Sequence, residues 1–435
     1  MHTLKRLTCA ALLAFGAQAA SAATPGDFDP TFAFGGYNTV GHGDYTGADD
    51  LVVDRAGFIY TVGTDTTGGT TTPLLAKYRP DGSLDTSFGV GGFATPAVVP
   101  ANVQPYASVT MFRDYLFQLV SADDKLYVYA FDTNGVPQTW FGAGGVAIIT
   151  IGPAIYPVFE IAQWGNYLGI AASARNPATA NFDFVVVQLS LSGAPVAGFG
   201  TGGVAYSRLW TGAGARNRLT GLAFQPDGRI VAAGRAAKPG DSYDYVVARY
   251  RTDGTPDPTF GLGGFTRIGF GDNDYGRRVA LKKDGRVVVT GSACKWIDPA
   301  IGEEHCVLGA AQLKSDGSLD PAFDVDGKVT WDLGRKGVIV TDFVLDPRER
   351  PVIVGQHRID DTVSTAFVAR LRPSGALDTG YGGGGWVDVS YGYDANANGG
   401  VKMYPIGQVV TAGTTIKVVD PTTSYALTTV ARHEN

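Results

Sequence analysis

Residues 84–93 read LDTSFGVGGF, and close copies return along the chain, as PDPTFGLGGF at 256–265 and LDTGYGGGGW at 377–386. The motif aromatic falls at Phe32, Phe88, Phe141, Phe199, Phe260, Phe323 and Tyr381, at intervals of 56, 53, 58, 61, 63 and 58 residues. Another 54 residues follow Tyr381, which is one more unit. A stretch used this often is a structural part rather than a catalytic loop, and a regular period marks a repeat architecture.

Each unit reads as four short strands. The motif leads into one, as in FTRIGF at 265–270. A polar loop follows, then two strands around a turn, as in VALKKDGRVVVTG at 279–291, where Asp-Gly is a strong hairpin signal. A last strand runs into the next turn, as in YVVARYRTDG at 245–254. Seven such units without helical periodicity predict an all-β fold, a seven-bladed β-propeller of four-stranded blades occupying residues 23–435 as one domain. An open β-solenoid, the rival, needs distinct terminal caps. In the motif, Phe88 is expected to wedge between adjacent blades, while Gly89, Gly91 and Gly92 let the backbone turn beneath it. A phosphate loop is a poor alternative, because GVGG lacks the Gly-Lys-Ser/Thr ending and no helix follows.

Leu84, Asp85, Phe88, Gly89, Gly91 and Gly92, with Asp257, Phe260, Gly261, Gly263 and Gly264, resemble the signature of the bacterial delta-sixty repeat family. Several copies depart from it: Ala33 stands for a glycine in the first, Asp324 and Asp326 replace two in the sixth, and the third and fourth lose the leading Asp. The resemblance implies an exported, propeller-like β protein and no particular ligand or reaction.

Glycine supplies 60 of 435 residues, without the Gly-X-Y period of collagen. Residues 1–22 read as a secretory signal: Lys5 and Arg6, a short apolar core at 8–18, then Ala20-Ser21-Ala22. Its removal moves the net charge from −6 to −8 by taking away Lys5 and Arg6. No later segment is an apolar run of membrane-spanning length. The expected location is the periplasm or the extracellular space, with no nucleic-acid partner and with cationic ligands or metal ions as the natural charged ones. Cys294 and Cys306, left after cleavage, are expected to form a disulfide across a long loop.

The variable loops GHGDYTGADD at 41–50, GFGDNDYGRR at 269–278 and GYDANANGG at 392–400 offer Asp44, Asp49, Asp50, Asp272, Asp274 and Asp394 as candidates for Ca²⁺ or a cationic ligand at a channel mouth. Asp320, Asp324 and Asp326 form a second candidate cation locus, without full EF-hand spacing. The competing reading for both is ordinary turn chemistry. His42 stands near Asp44, and Trp296, between the cysteines, is the candidate exposed aromatic for a glycan or protein partner. No zinc or metalloprotease spacing occurs. The leading function is an extracytoplasmic binding or scaffold protein for a protein, glycan or small-molecule ligand. The alternative is a hydrolase or lyase with its site at the channel mouth. A buried, convergent polar cluster there would favour the enzyme.

Overall fold

The computed structural model describes residues 24–435 except 34, 154, 157–159, 177–180, 212–213, 238–239, 241, 299–302, 359–362, 394 and 421–422. The expected signal, 1–22, lies outside them. Every regular element among the described residues is a β-strand, and no helix is long and apolar enough to cross a membrane.

The strands pair antiparallel in sets that follow chain order. Val103–Phe112, Tyr115–Ala122, Lys125–Asp132 and Val146–Thr150 make one four-stranded sheet. Asn273–Leu281, Val287–Asp298, Glu303–Leu313 and Lys328–Trp331 make another, and Lys336–Leu345, Pro351–Arg358, Ser364–Arg370 and Trp386–Val389 a third. The strands from Glu160 to Ser207 and from Arg216 to Ile268 repeat this order, joined by one parallel contact between Phe182 and Arg216. Asp50–Val53, Ile59–Thr67, Thr70–Tyr78 and Phe93–Ala94 form a further set. In the last set, Ala395–Met403, Val409–Asp420 and Thr423–His433 are completed by Tyr37–Val40, which lies antiparallel to the final strand with Tyr37 opposite Ala431. The first strands of successive sets neighbour one another, and Ala395–Met403 returns to Asp50–Val53. The arrangement is propeller-like, with these first strands lining a central channel. Apolar faces pack from set to set: Val62, Leu75 and Phe88 meet Val109, Leu116 and Val120.

One link recurs between neighbouring sets. Each motif aromatic is buried. Its ring lies against a turn glycine of the next unit: Phe32 on Gly82, Phe88 on Gly135, Phe141 on Gly193, Phe199 on Gly254, Phe260 on Gly317 and Phe323 on Gly375. Tyr381 lies on Gly26. A Cβ at these glycines would stand 2.7–3.2 Å from a ring carbon, so the turn requires glycine. The residue after the aromatic donates its N–H to a carbonyl of the same turn, as Gly89 does to Asn134 and Gly261 to Asp316, each at 2.8 Å. The last such bond, Gly382 to Pro25 at 2.8 Å, returns to the first unit.

The motif Asp completes the link. Asp257 pairs with Arg249 at 2.9 Å, and that guanidinium lies 4.8 Å from the centre of the Phe260 ring. Asp29 with Arg432 and Asp378 with Arg370 repeat the arrangement. Burial works to raise the Asp257 carboxyl, but hydrogen bonds from Thr259 and the Arg229 and Arg249 guanidinium groups outweigh it and bring it to about 2. Where the motif lacks Asp, at Gln138 and Val196, the strand position whose carbonyl accepts that residue's N–H carries Ala130 or Gln188 instead of a cation. In the sixth unit the acid stays while that strand position carries Gln312, and Asp320 pairs instead with Arg286, just before the neighbouring strand, at 3.3 Å.

This separates two residues that lie side by side in the motif. Phe260→Ala should cost about 3–5 kcal/mol in denaturant unfolding, as large aromatic truncations in a core do. Leu262→Ser, at a tip where Leu262 is 87% exposed, should stay within about 0.5 kcal/mol. Similar costs for the two would contradict the wedge.

Candidate functional site

The first strands carry charged side chains into the channel. Asp50, Glu160, Arg278, Asp342 and Lys402 stand 18–21 residues after the motif aromatic of their units. Arg278 pairs with Glu160 and, at 3.1 Å, with Asp342. Lys402 Nζ lies 3.2 Å from Asp50 and 3.5 Å from Asp342. Asp50 also accepts from Ser108 Oγ at 2.8 Å and from the Val109 N–H at 3.1 Å, and Asp342 accepts from the Val401 N–H at 2.9 Å. Each of these carboxylates therefore ties its own sheet to the next. Burial pushes the Glu160 carboxyl up to about 7 against the pull of Arg278. Burial also acts to raise Asp50, but Lys402 and Arg278 hold it below its usual range.

Two arginines adjacent in sequence, Arg277 and Arg278, both reach the channel side. In a regular strand they would point to opposite faces. The register shifts between Gly276 and Arg278, so Arg277 is the extra residue of a β-bulge. The bulge presses the first strand onto the second, where a Cβ at Gly291 would stand 2.1 Å from the Tyr275 carbonyl oxygen. The same device occurs beside Arg218, with a shift between Leu219 and Gly221 and with Gly234 opposite.

The charged cluster lies between two cavities. One, about 660 Å³, opens among the starts of the first strands and the tip of the 287–313 hairpin. Tyr106, Tyr275, Arg235, Arg277, Lys336 and Arg358 line it. The other, about 1090 Å³, opens at the far ends of the first strands, beside Arg55, Arg113 and Lys402. At the hairpin-side mouth, tyrosine rings and guanidinium groups stack. Arg218 lies 3.4 Å from the Tyr156 ring centre, and Arg235 lies 5.1 Å and 4.6 Å from those of Tyr243 and Tyr275. Arg216 covers Tyr243 at 4.3 Å. Burial pushes Arg235 below the usual arginine range, and burial with the nearby Arg278 and Arg235 charges lowers Arg277 to about 10.

The acidic candidates are dispersed by comparison. Asp44 is exposed and accepts from the Gly68 N–H, and Asp272 is exposed and accepts from the Trp296 N–H. Asp274 is buried and accepts from the Phe270 and Gly271 N–H groups at 2.6 and 3.2 Å, the turn-making role of Asp. Asp50 belongs to the channel cluster, with Asp49 beside it accepting from the Ala107 N–H at 3.0 Å. Asp394 lies outside the described residues. Asp320 is spent on Gln312 and Arg286, while Asp324 and Asp326 are exposed. His42 bonds to Asp65, which also accepts from Thr46. Trp296 is half-buried, and its exposed neighbour Ile297 lines the cavity. Cys294 and Cys306 face each other across paired strands and form a disulfide at the root of that hairpin tip. Among the described residues, the one group of three Cys, His or acidic ligand atoms close enough for a metal is Cys294, Glu304 and Cys306, and its two sulfurs are bonded to each other.

Sequence reading missed the cations of the mouth, Arg216, Arg218, Arg235, Arg277, Lys336 and Arg358. The alternation Arg216-Asn217-Arg218 on a strand and the pair Arg277-Arg278 were the available signals. The expectation of cationic ligands followed net charge. At this mouth four bases, Arg235, Arg277, Lys336 and Arg358, line the cavity beside two acids, Glu303 and Glu304.

Asp49 supplies a pH-dependent test. Protein crowds its carboxyl, and that burial raises it from 3.8 to about 7, against the Ala107 hydrogen bond and with the Asp50 charge adding to the rise. A carboxyl raised on folding favours the protonated form, so stability is lost as the pH climbs from 3.8 to about 7. Asp49→Asn keeps an acceptor for the Ala107 N–H without the charge. Its melting temperature relative to the native protein should rise across that window and level off above it. A difference that is flat or falls with pH would contradict the assignment.

A family model described as "Domain of unknown function (DUF5122) beta-propeller" matches residues 57–88 and 225–260, and each stretch ends on a motif aromatic. The match supports a β-propeller repeat family. No curated protein matches the chain. Similar solved structures include a protein of unknown function from Dyadobacter fermentans DSM 18053, 11% identical over 92% of this chain and 98% of that one, with a TM-score of 0.45. Drosophila Semaphorin 2a is 9% identical over 94% and 76%, and the polysaccharide lyase Uly1 is 8% identical over 91% and 91%, each with a TM-score of 0.49. Likenesses at this level carry no argument here, and the fold rests on the strand pairing and the repeat.

Proposed function

We propose that the chain is an exported, seven-bladed β-propeller of delta-sixty repeats that serves as a binding protein, taking its ligand at the hairpin-side mouth of the channel. The seven motif aromatics, each seated on a glycine of the following unit with Tyr381 returning to Gly26, support the blade count. The signal-like residues 1–22 and the Cys294–Cys306 disulfide support export. The observation that carries the binding role is the cavity of about 660 Å³, a size that suits a small ligand, with aromatic and cationic side chains converging on it. The proposal does not call on calcium.

A second reading, a hydrolase or lyase, is favoured by the buried, convergent cluster of Asp50, Glu160, Arg278, Asp342 and Lys402, with the Glu160 carboxyl raised to about 7, and by Asp49, raised to about 7 in the wall of the channel. Tyr275, which lines the cavity, is pushed up to about 12 by burial and by Glu304, so it is no base near neutral pH. Binding without turnover is the preferred reading because Glu160 is committed to the Arg278 ion pair and Asp49 to the Ala107 N–H, while the cavity itself is lined by aromatic and cationic groups.

Equilibrium dialysis of the purified protein against a mixed library of oligosaccharides, peptides and small metabolites, read by mass spectrometry, tests both. Retained ligands should be released unchanged and should no longer be retained by Ile339→Trp, which fills the cavity where Ile339 is 46% exposed. Retention that survives Ile339→Trp would overturn the site. Converted ligands, with conversion lost in Asp49→Asn, would establish the enzyme instead.

A further inference from the structure

Antiparallel strands ordinarily avoid like charges directly opposite one another, because such pairs are destabilising. This mouth holds two: Arg218 stands opposite Arg235, and Lys336 stands opposite Arg358. Composition does not force them, since the chain has 35 Lys and Arg against 41 Asp and Glu. Elsewhere the structure matches buried arginines with carboxylates: Arg249 with Asp257, Arg370 with Asp378 and Arg432 with Asp29. Among the described residues, none of Arg218, Arg235, Lys336 and Arg358 makes an ion pair.

At Arg218 and Arg235 tyrosine faces take the place of carboxylates, and the nearby Glu304 carboxylate accepts from Asn273 and the Tyr275 hydroxyl. A guanidinium stacked on a ring keeps its charge and presents its N–H edge outward. Arg218 donates to the Tyr156 hydroxyl, and among the described residues the Nε atoms of Arg218 and Arg235 are buried without a hydrogen-bond partner. Arg235, Arg277, Lys336 and Arg358 line the same cavity against two carboxylates, Glu303 and Glu304, which leaves an excess of positive charge. Arg235 belongs to the sheet before the one that carries Arg277, and Lys336 and Arg358 to the sheet after it. The positive charge is thus spread around the mouth rather than gathered at one point.

We infer that the hairpin-side mouth is built for a small polyanion, a ligand carrying two or more separated carboxylate, sulfate or phosphate groups. The inference rests on the reading of this mouth as a binding site and names the ligand class. Planar guanidinium forks recognise such oxyanions with two parallel hydrogen bonds. Bound oxyanions would offset both like-charge pairs and give the buried Nε donors acceptors. An acidic oligosaccharide and a polyphosphate share this chemistry. The net charge of −6 opposes a long nucleic acid.

The test is isothermal titration of the mature protein with trigalacturonate, tripolyphosphate, inorganic phosphate and neutral maltotriose. At least one of the two polyanions should bind about tenfold or more tightly than inorganic phosphate, and its affinity should fall as salt is raised. Which polyanion binds identifies the source of the oxyanions. Lys336→Gln with Arg358→Gln should weaken that polyanion about tenfold or more and raise the ligand-free melting temperature, since an opposed like-charge pair is removed. Arg55→Gln with Arg113→Gln, at the opposite mouth, should leave binding unchanged. No polyanion binding at millimolar concentration, or maltotriose binding as tightly as the polyanions, would overturn the inference. A neutral ligand recovered by dialysis and lost in Ile339→Trp would keep the binding site and remove the polyanion. A response to the opposite-mouth variant alone would place the anion site elsewhere.

Discussion

The structure depends on the contact between a motif aromatic and the turn glycine of the following unit. A four-stranded sheet has two faces to cover, and neighbouring sheets cover them only if their spacing is held. The ring of Phe88 or Phe260 fills the gap, the glycine lets the next turn lie on the ring, and an N–H···O=C hydrogen bond of 2.8 Å fixes the register. The Asp–Arg pair beneath the ring adds a directional restraint in the units that have it. At Gln138 with Ala130 and at Val196 with Gln188 both charges are absent, so neither is buried alone, and at Asp320, opposite Gln312, Arg286 supplies the cation.

With the sheets held at that spacing, the first strands are brought side by side around the channel. Their bulges then decide what the channel contains. At Arg277 and Arg278 a single extra residue sends one arginine to the cavity and the next to Glu160 and Asp342. Glycines in the second strands, Gly234 and Gly291 among them, allow the close backbone approach that the bulge produces. The same geometry therefore builds an interlocked ion-pair cluster within the channel and, at one mouth, a rim where like-charged side chains stand opposite one another. Like-charge pairs at the rim are a local cost that the well-packed sheets around them can carry, as functional sites commonly require.

Much of the architecture was legible because it repeats. The motif aromatics, the glycine turns and the four-strand rhythm appear in the chain seven times, and repetition averages out local ambiguity. The Cys294–Cys306 pairing was also readable, since two cysteines flank one loop. The mouth was not. Asp272 and Asp274 stood out by composition, yet Asp274 is used to close its own turn and Asp272 to hold the Trp296 amide. Arg218 and Arg235 lie on different strands, and their opposition appears only once the register is known. Alternation would have placed Arg277 and Arg278 on opposite faces, and a bulge of one residue leaves no distinct mark in a sequence already rich in glycine.

Native-state hydrogen exchange tests the central claim most directly. The amides to follow are those of Ala33, Gly89, Gly142, Gly200, Gly261, Asp324 and Gly382, the donors that link each unit to the next. If these links close on themselves through Gly382 and Pro25, none can open alone. All seven amides should then exchange with the free energy of global unfolding. Rapid exchange at Gly382, with the other six protected, would mean that the sheets form an open array with two free ends.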